Sequence, residues 1–144
     1  MSIEFERSFC IALRRGARVL TSRYDEVLAP SGLRATMFHL LSQLEDGATP
    51  TITRLAEQAG LDRSTLGRNL RVLERAGLVS LDEAEDERAR AVTITQLGRD
   101  SLAVARPLWR AAQHETAERL GDQVTNLLDI LTRLDDKSEV NAPG

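Results

Sequence analysis

One glycine between two short apolar-faced segments constrains this chain more than any other feature. Thr51 to Gly77 reads TITRLAEQAGLDRSTLGRNLRVLERAG. Ile52 to Gln58 is predicted helical, and its residues Ile52, Leu55 and Ala56 share one face with Ala59. The turn is Ala59-Gly60-Leu61, where Gly60 is free to take the positive φ of a sharp reversal. A second helix is predicted from Asp62 to about Ala76. The Asp62 carboxylate suits the first orphan amides and the positive end of the helix dipole, and Gly77 suits the stop. Leu66, Leu70 and Leu73 form the buried stripe of that helix. Arg63, Ser64, Thr65, Gly67, Arg68 and Arg71 are left facing outward. Short polar residues followed by arginines, with nothing bulky between them, suit a helix that enters the major groove of DNA. The plainer reading is a helical hairpin with a solvated arginine face.

The next residues favour the first reading. Leu78 to Leu81 has strand character, Asp82 to Ala89 is polar and charged, and Arg90 to Thr95 alternates as a strand does. A helix-turn-helix followed by a two-stranded hairpin is a winged helix. Its tip would carry Arg88 and Arg90, and an arginine there suits the negative potential of a narrow minor groove. Asp86 is placed to hold the Arg88 guanidinium in a bidentate pair. The acidic residues of the tip argue against DNA contact along its whole length.

These residues resemble the MarR family of winged-helix transcriptional regulators. Asp86-Glu87-Arg88, then Val92-Thr93-Ile94-Thr95 and Gly98, is similar to that family's wing signature. Leu73-Glu74-Arg75-Ala76-Gly77-Leu78-Val79 is similar to its recognition-helix exit. The resemblance runs from about residue 8 to residue 135 without gaps.

Charge sharpens the picture. The chain has 144 residues and a formal net charge of -3, so it is not a basic nucleic-acid binder as a whole. Distribution matters more than the total. Arg54, Arg63, Arg68, Arg71 and Arg75 outnumber Glu57, Asp62 and Glu74 in the helix-turn-helix, while acid gathers in the wing, at Asp25-Glu26 and in the tail. Hydrophobic residues make up 42%, enough for one globular domain with a core. The single Cys10 excludes an intrachain disulfide. No signal peptide or apolar run of membrane-spanning length is evident, so a cytoplasmic protein is expected.

Taken in order, Glu4 to Leu28 is predicted as a long helix striped by Phe5, Phe9, Ala12, Leu13, Ala17, Leu20, Tyr24, Val27 and Leu28. Pro30 and Gly32 end it. Leu33 to Glu45 is a second, nearly apolar helix. Gln96 to about Arg119 is a third long helix, with a kink expected at Pro107. Gly121-Asp122 breaks it, and Asp122 is expected to cap a last helix with a ridge of Val124, Leu127, Leu128, Leu131 and Leu134. The fold class is therefore mainly α with a small β-hairpin wing. A winged helix-turn-helix DNA-binding domain (33–95) joins a helical dimerisation region from both termini (1–32 and 96–137), and 138–144 forms a flexible tail. Two such apolar ridges at the ends of a small domain call for a partner. A homodimer packed across a two-fold axis is expected, as the resemblance also implies.

The reading that follows is a homodimeric repressor of a pseudo-palindromic operator on double-stranded DNA. Arg63, Ser64, Thr65 and Arg68 read or position, Arg71 and Arg54 grip phosphate, and Arg88, with Arg90 beside it, serves the wing. Half-sites would lie about 10 base pairs apart. Release would come from oxidation or from a small ligand. Phe9-Cys10-Ile11-Ala12-Leu13 resembles the first-helix segment of the one-cysteine hydroperoxide sensors of the family, with Arg14 and Arg15 near the thiol. The second-helix tyrosines of those sensors have no counterpart in Arg34 to Phe38, and a small buried hydrophobe is the plainer role for Cys10. An anionic or phenolic effector, of the kind many family members bind, would lie near Arg14, Arg15, Arg18, His39 and Trp109. His39 and Trp109 are as readily explained by surface polarity and core packing. No cofactor, metal-ligand spacing or catalytic constellation is present. The rival is a winged-helix interaction or ligand-binding module that has no DNA partner, and the acidic wing favours it.

Overall fold

A computed structural model describes residues 8–135. The starting turns of the expected first helix, including Phe5, and the expected tail lie outside these residues. The chain divides into two compact units, one ending at Trp109 and one beginning at Arg110.

In the first unit, α1 (Phe9–Leu28) starts at Ser8, whose hydroxyl accepts from the Ile11 amide at 3.3 Å. Residues 8 to 23 are all exposed, and the helix buries only Tyr24 and Leu28. α2 (Ala35–Ser42) is shorter than the pattern predicts. Leu33 and Arg34 stay outside it because the Asp25 carboxylate, ten residues back on α1, accepts from the Ala35 amide at 2.8 Å and supplies the cap. At the other end, turns closed by Leu44 N to Leu41 O (3.0 Å) and Gly47 N to Leu44 O (3.2 Å) replace the last helical turn.

α3 (Ile52–Ala59) and α4 (Arg63–Arg75) form the helix-turn-helix. Gly60 has φ 67°, and the Leu61 amide donates back to the Ala56 carbonyl at 3.1 Å, which closes the end of α3. Leu55, Ala56, Leu66, Leu70 and Leu73 are buried in one core with Leu28, Leu40, Leu41 and Leu44. This is the stripe that the spacing predicts. Trimming a fully buried leucine there costs about 2–5 kcal/mol.

β1 (Val79–Leu81) and β2 (Val92–Ile94) pair antiparallel with Val79 opposite Ile94 and Leu81 opposite Val92. Both are shorter than the alternation predicts. Ala91 bridges Thr51, the Ile52 amide donates to the Arg90 carbonyl (3.1 Å) and the Val92 amide to the Pro50 carbonyl (2.9 Å). The approach to α3 therefore acts as a third short rung, and it fixes the wing to the start of the helix-turn-helix. Glu87–Ala89 makes one 3-10 turn at the tip.

α5 (Gln96–Leu120) remains helical through Pro107, which is exposed. Its start is locked to the wing. The Thr95 hydroxyl donates to the Gly77 carbonyl (2.6 Å) and accepts from the Gly98 amide (3.0 Å). A Cβ on Gly98 would lie 2.2 Å from the Leu78 carbonyl oxygen, so only glycine fits. Arg99 donates to the Glu45 carbonyl at 2.7 Å, and Arg106 pairs with the Glu45 carboxylate.

The second unit holds the end of α5, a 3-10 turn at Gly121–Gln123, and α6 (Val124–Asp135). Asp122 sits inside that turn, which leads directly into α6 in place of the expected cap. α6 buries no residue: Leu128 is 61% and Leu134 70% exposed, while Val124, Leu127 and Leu131 are half-buried.

Candidate nucleic-acid interface

α4 begins at Asp62, whose carboxylate accepts from the Thr65 amide at 2.7 Å and from the Thr65 hydroxyl at 3.0 Å. The amide bond, then the hydroxyl bond, and more weakly the Arg68 charge hold the Asp62 carboxyl below its ordinary value. The helix start is thus fixed with its buried leucines turned inward. Its opposite face carries Arg63, Ser64, Gly67, Arg68 and Arg71.

That face continues into the wing. A groove of about 650 Å³ is lined by Ile52, Arg63, Ser64, Gly67, Arg68, Arg71 and Arg88. Among the described residues, four arginines and no acid line it. Among the described residues Arg63, Arg71 and Arg88 form no side-chain ion pair within 4.0 Å, so their guanidinium groups are available. Gly67 leaves open space, because a Cβ there would meet nothing within 4 Å. The result is a positively charged groove on the face of α4 opposite its buried leucines.

The sequence-predicted residues separate on inspection. Arg63, Ser64, Arg68, Arg71 and Arg88 come together in the groove. Thr65 is half-buried and bonded to Asp62 and Arg68. Arg54 is exposed on α3 and pairs with Glu57 at 3.5 Å, outside the groove lining. Arg90 faces the wing's own backbone: its Nε donates to the Asp82 carbonyl at 3.0 Å and its Nη2 to Leu81 at 3.5 Å. Asp86 bonds the Arg88 amide (3.0 Å), and no Asp86–Arg88 ion pair is present among the described residues, so the bidentate expectation is replaced by a turn-closing one. Ile52 lines the groove unforeseen, while Gly67 lies on the outward face where its spacing puts it.

The effector candidates are placed one by one. Arg14, Arg15 and Arg18 are exposed on α1, as is Cys10. His39 is exposed and within 3.0 Å of the Gln43 amide. Trp109 stacks on Phe38 (4.4 Å, 15°) and meets Tyr24 edge-on (4.9 Å), as a core residue would. In the single chain Cys10 is a free, exposed thiol. Among the described residues no group of three His, Cys, Asp or Glu is placed to hold a metal, and no helix is long and apolar enough to cross a membrane.

A helix-turn-helix with an arginine-faced second helix and an arginine-tipped wing defines a winged-helix, DNA-binding transcriptional regulator. Comparisons with known proteins agree. The MarR family model matches residues 31–89. The crystal structure of the Mycobacterium tuberculosis transcriptional regulator MosR is 36% identical, with 94% of this chain and 98% of that chain covered at a TM-score of 0.80. Its complex with DNA is 35% identical, covering 94% and 100% at a TM-score of 0.81. The organic hydroperoxide resistance transcriptional regulator of Bacillus subtilis is 28% identical over 97 residues, which are 67% of this chain and 66%, just under two thirds, of the Bacillus protein. The chain belongs to the MarR family of transcriptional regulators.

Proposed function

We propose that this protein is a homodimeric repressor that occludes a pseudo-palindromic operator. The arginine-lined groove between α4 and the wing carries the reading. α4 lies in the major groove, with Ser64 and Arg68 toward base edges. Arg63 and Arg71 meet phosphate, and Arg88 approaches the flanking minor groove. The similarity to MosR, whose structure with DNA is known, supports this use of the face. Dimerisation is supported by the open apolar residues of α1 and of α6, each of which presents large side chains to solvent in the single chain. Repression is relieved by oxidation at Cys10 or by a small anionic or phenolic ligand. The hydroperoxide function in the Bacillus relative's name favours the thiol.

Fluorescence anisotropy against the protein's own promoter region, across a salt series, tests the reading. Tight, competitor-resistant binding is expected. Arg88→Ala should weaken it by about tenfold with fold and association intact, and unchanged affinity would remove the wing from the interface. The exposed acids Asp82, Glu83, Glu85 and Asp86 favour the interaction-module alternative. Failure to enrich any sequence from a random DNA pool would select that alternative.

A further inference from the structure

The Thr65 hydroxyl sits between two charged groups of opposite sign. It donates its only proton to Asp62 Oδ2 at 3.0 Å and accepts from Arg68 Nη2 at 3.4 Å. Both neighbours are one helical turn or less away, so the three side chains form a line along the start of α4. A hydroxyl in this state has no donor left for guanine O6, guanine N7 or a phosphate oxygen. Arg68, by contrast, has a planar guanidinium with five N–H donors, and the Thr65 bond engages one edge of it. The remaining donors are available to the groove that Arg68 lines.

We propose that Thr65 is a positioning residue rather than a reader: its hydroxyl, anchored on Asp62, sets the angle at which Arg68 meets a base edge or phosphate. This rests on the DNA-binding reading above. An unanchored arginine samples many rotamers and must be ordered on binding. The Asp62–Thr65–Arg68 line orders it beforehand. Asp62 supplies the fixed end, because its other oxygen is already held by the Thr65 backbone amide at 2.7 Å.

Two substitutions at one position separate the possible roles. Thr65→Val removes the hydroxyl, keeps both branches at Cβ, and leaves the amide bond to Asp62 in place. Thr65→Ser keeps the hydroxyl and removes the methyl. The probe is a duplex selected from a random pool by the wild-type protein, titrated by anisotropy across a salt series, with every single-base variant of one half-site as competitor. Thr65→Val is expected to bind about tenfold more weakly and to flatten base preference at the position Arg68 reads. Thr65→Ser stays within about twofold of wild type. In an Arg68→Ala background the effect of Thr65→Val disappears, because there is nothing left to position. Thr65→Val still unfolds in a single cooperative transition, with only the modest loss that the missing bond to Asp62 brings.

Wild-type affinity in Thr65→Val overturns the proposal. Equal losses in the serine and valine variants also overturn it, since serine keeps the hydroxyl that is said to position Arg68. A valine loss that persists undiminished with Arg68→Ala overturns it as well, because the hydroxyl would then touch DNA itself. If the wild-type protein selects no duplex, the DNA-binding reading fails and takes this one with it. That result is distinct from selective binding that Thr65→Val leaves untouched.

Discussion

α4 leaves one face open to solvent and α1 is open along most of its length, and the two exposures mean different things. The open face of α4 is arginine, serine and glycine, set over three fully buried leucines. α1 carries one apolar stripe in the open: Phe9 is 62%, Leu13 44% and Leu20 42% exposed, and the first fifteen residues of the helix bury nothing. Charged groups held outward in water are stable in a lone chain and remain ready for a polyanion. Apolar groups held outward are unfavourable by about 25 cal/mol for each Å² left uncovered. The α4 face is therefore a finished surface waiting for a ligand, whereas the α1 face is the unclosed edge of a core. α6 belongs with α1 in this respect.

The comparison breaks most visibly at α6. Leu128→Asp on an isolated chain would be an ordinary surface change, within about 0.5 kcal/mol. If that face is covered by a second copy, the buried unpaired carboxylate raises the dissociation constant of self-association by more than about 100-fold. Sedimentation velocity reads the difference, and wild-type association in the variant would return α6 to solvent.

At α4 the expected effects are smaller and of a different kind. Arg71→Ala should weaken binding by about tenfold, evenly across sequences, and lower the salt slope by about one. Its unfolding free energy should stay within about 0.5 kcal/mol of wild type. A loss confined to particular bases would make Arg71 a reader instead of a phosphate grip. Gly67→Ala sharpens the same point by pulling stability and function apart. The new Cβ meets nothing in the free protein. The helix should therefore gain up to about 1 kcal/mol, seen as a higher urea midpoint. DNA affinity should fall, because the methyl occupies the space through which the duplex approaches. A stabilised variant with full affinity would move Gly67 out of the contact.

The smallest effect concerns acid. The carboxyl of Asp62 titrates below its ordinary 3.8 in the folded chain. Its contribution to stability is present above that value and is lost as the pH falls through the folded one. Wild type and Asp62→Asn should therefore differ by a constant urea midpoint above about pH 5 and converge under stronger acid. Convergence on the alkaline side would contradict the assigned sign.

Much of this was legible from residue order. Helix-turn-helix, wing and long α5 follow from periodicity, from Gly60 and Gly77, and from the alternation at Val92 to Ile94, because each is a local pattern with one favourable burial. The outward arginines of α4 follow from the same arithmetic, since fixing Leu66, Leu70 and Leu73 inward fixes their neighbours outward. What the sequence could not decide depends on groups distant along the chain. Asp25 caps α2 across ten residues and shortens it. The approach to α3 takes the start of the expected second strand for itself. Arg90 and Arg88, two positions apart in a charged run, part company because one guanidinium finds the carbonyls of β1 and the other finds the groove. Thr65 is a local exception: its spacing reads as a base contact, but Asp62 and Arg68, three residues to either side, engage its hydroxyl. Periodicity specifies which face a side chain occupies. Which partner a polar atom finds on that face is set by the elements packed beside it, and that is decided in three dimensions.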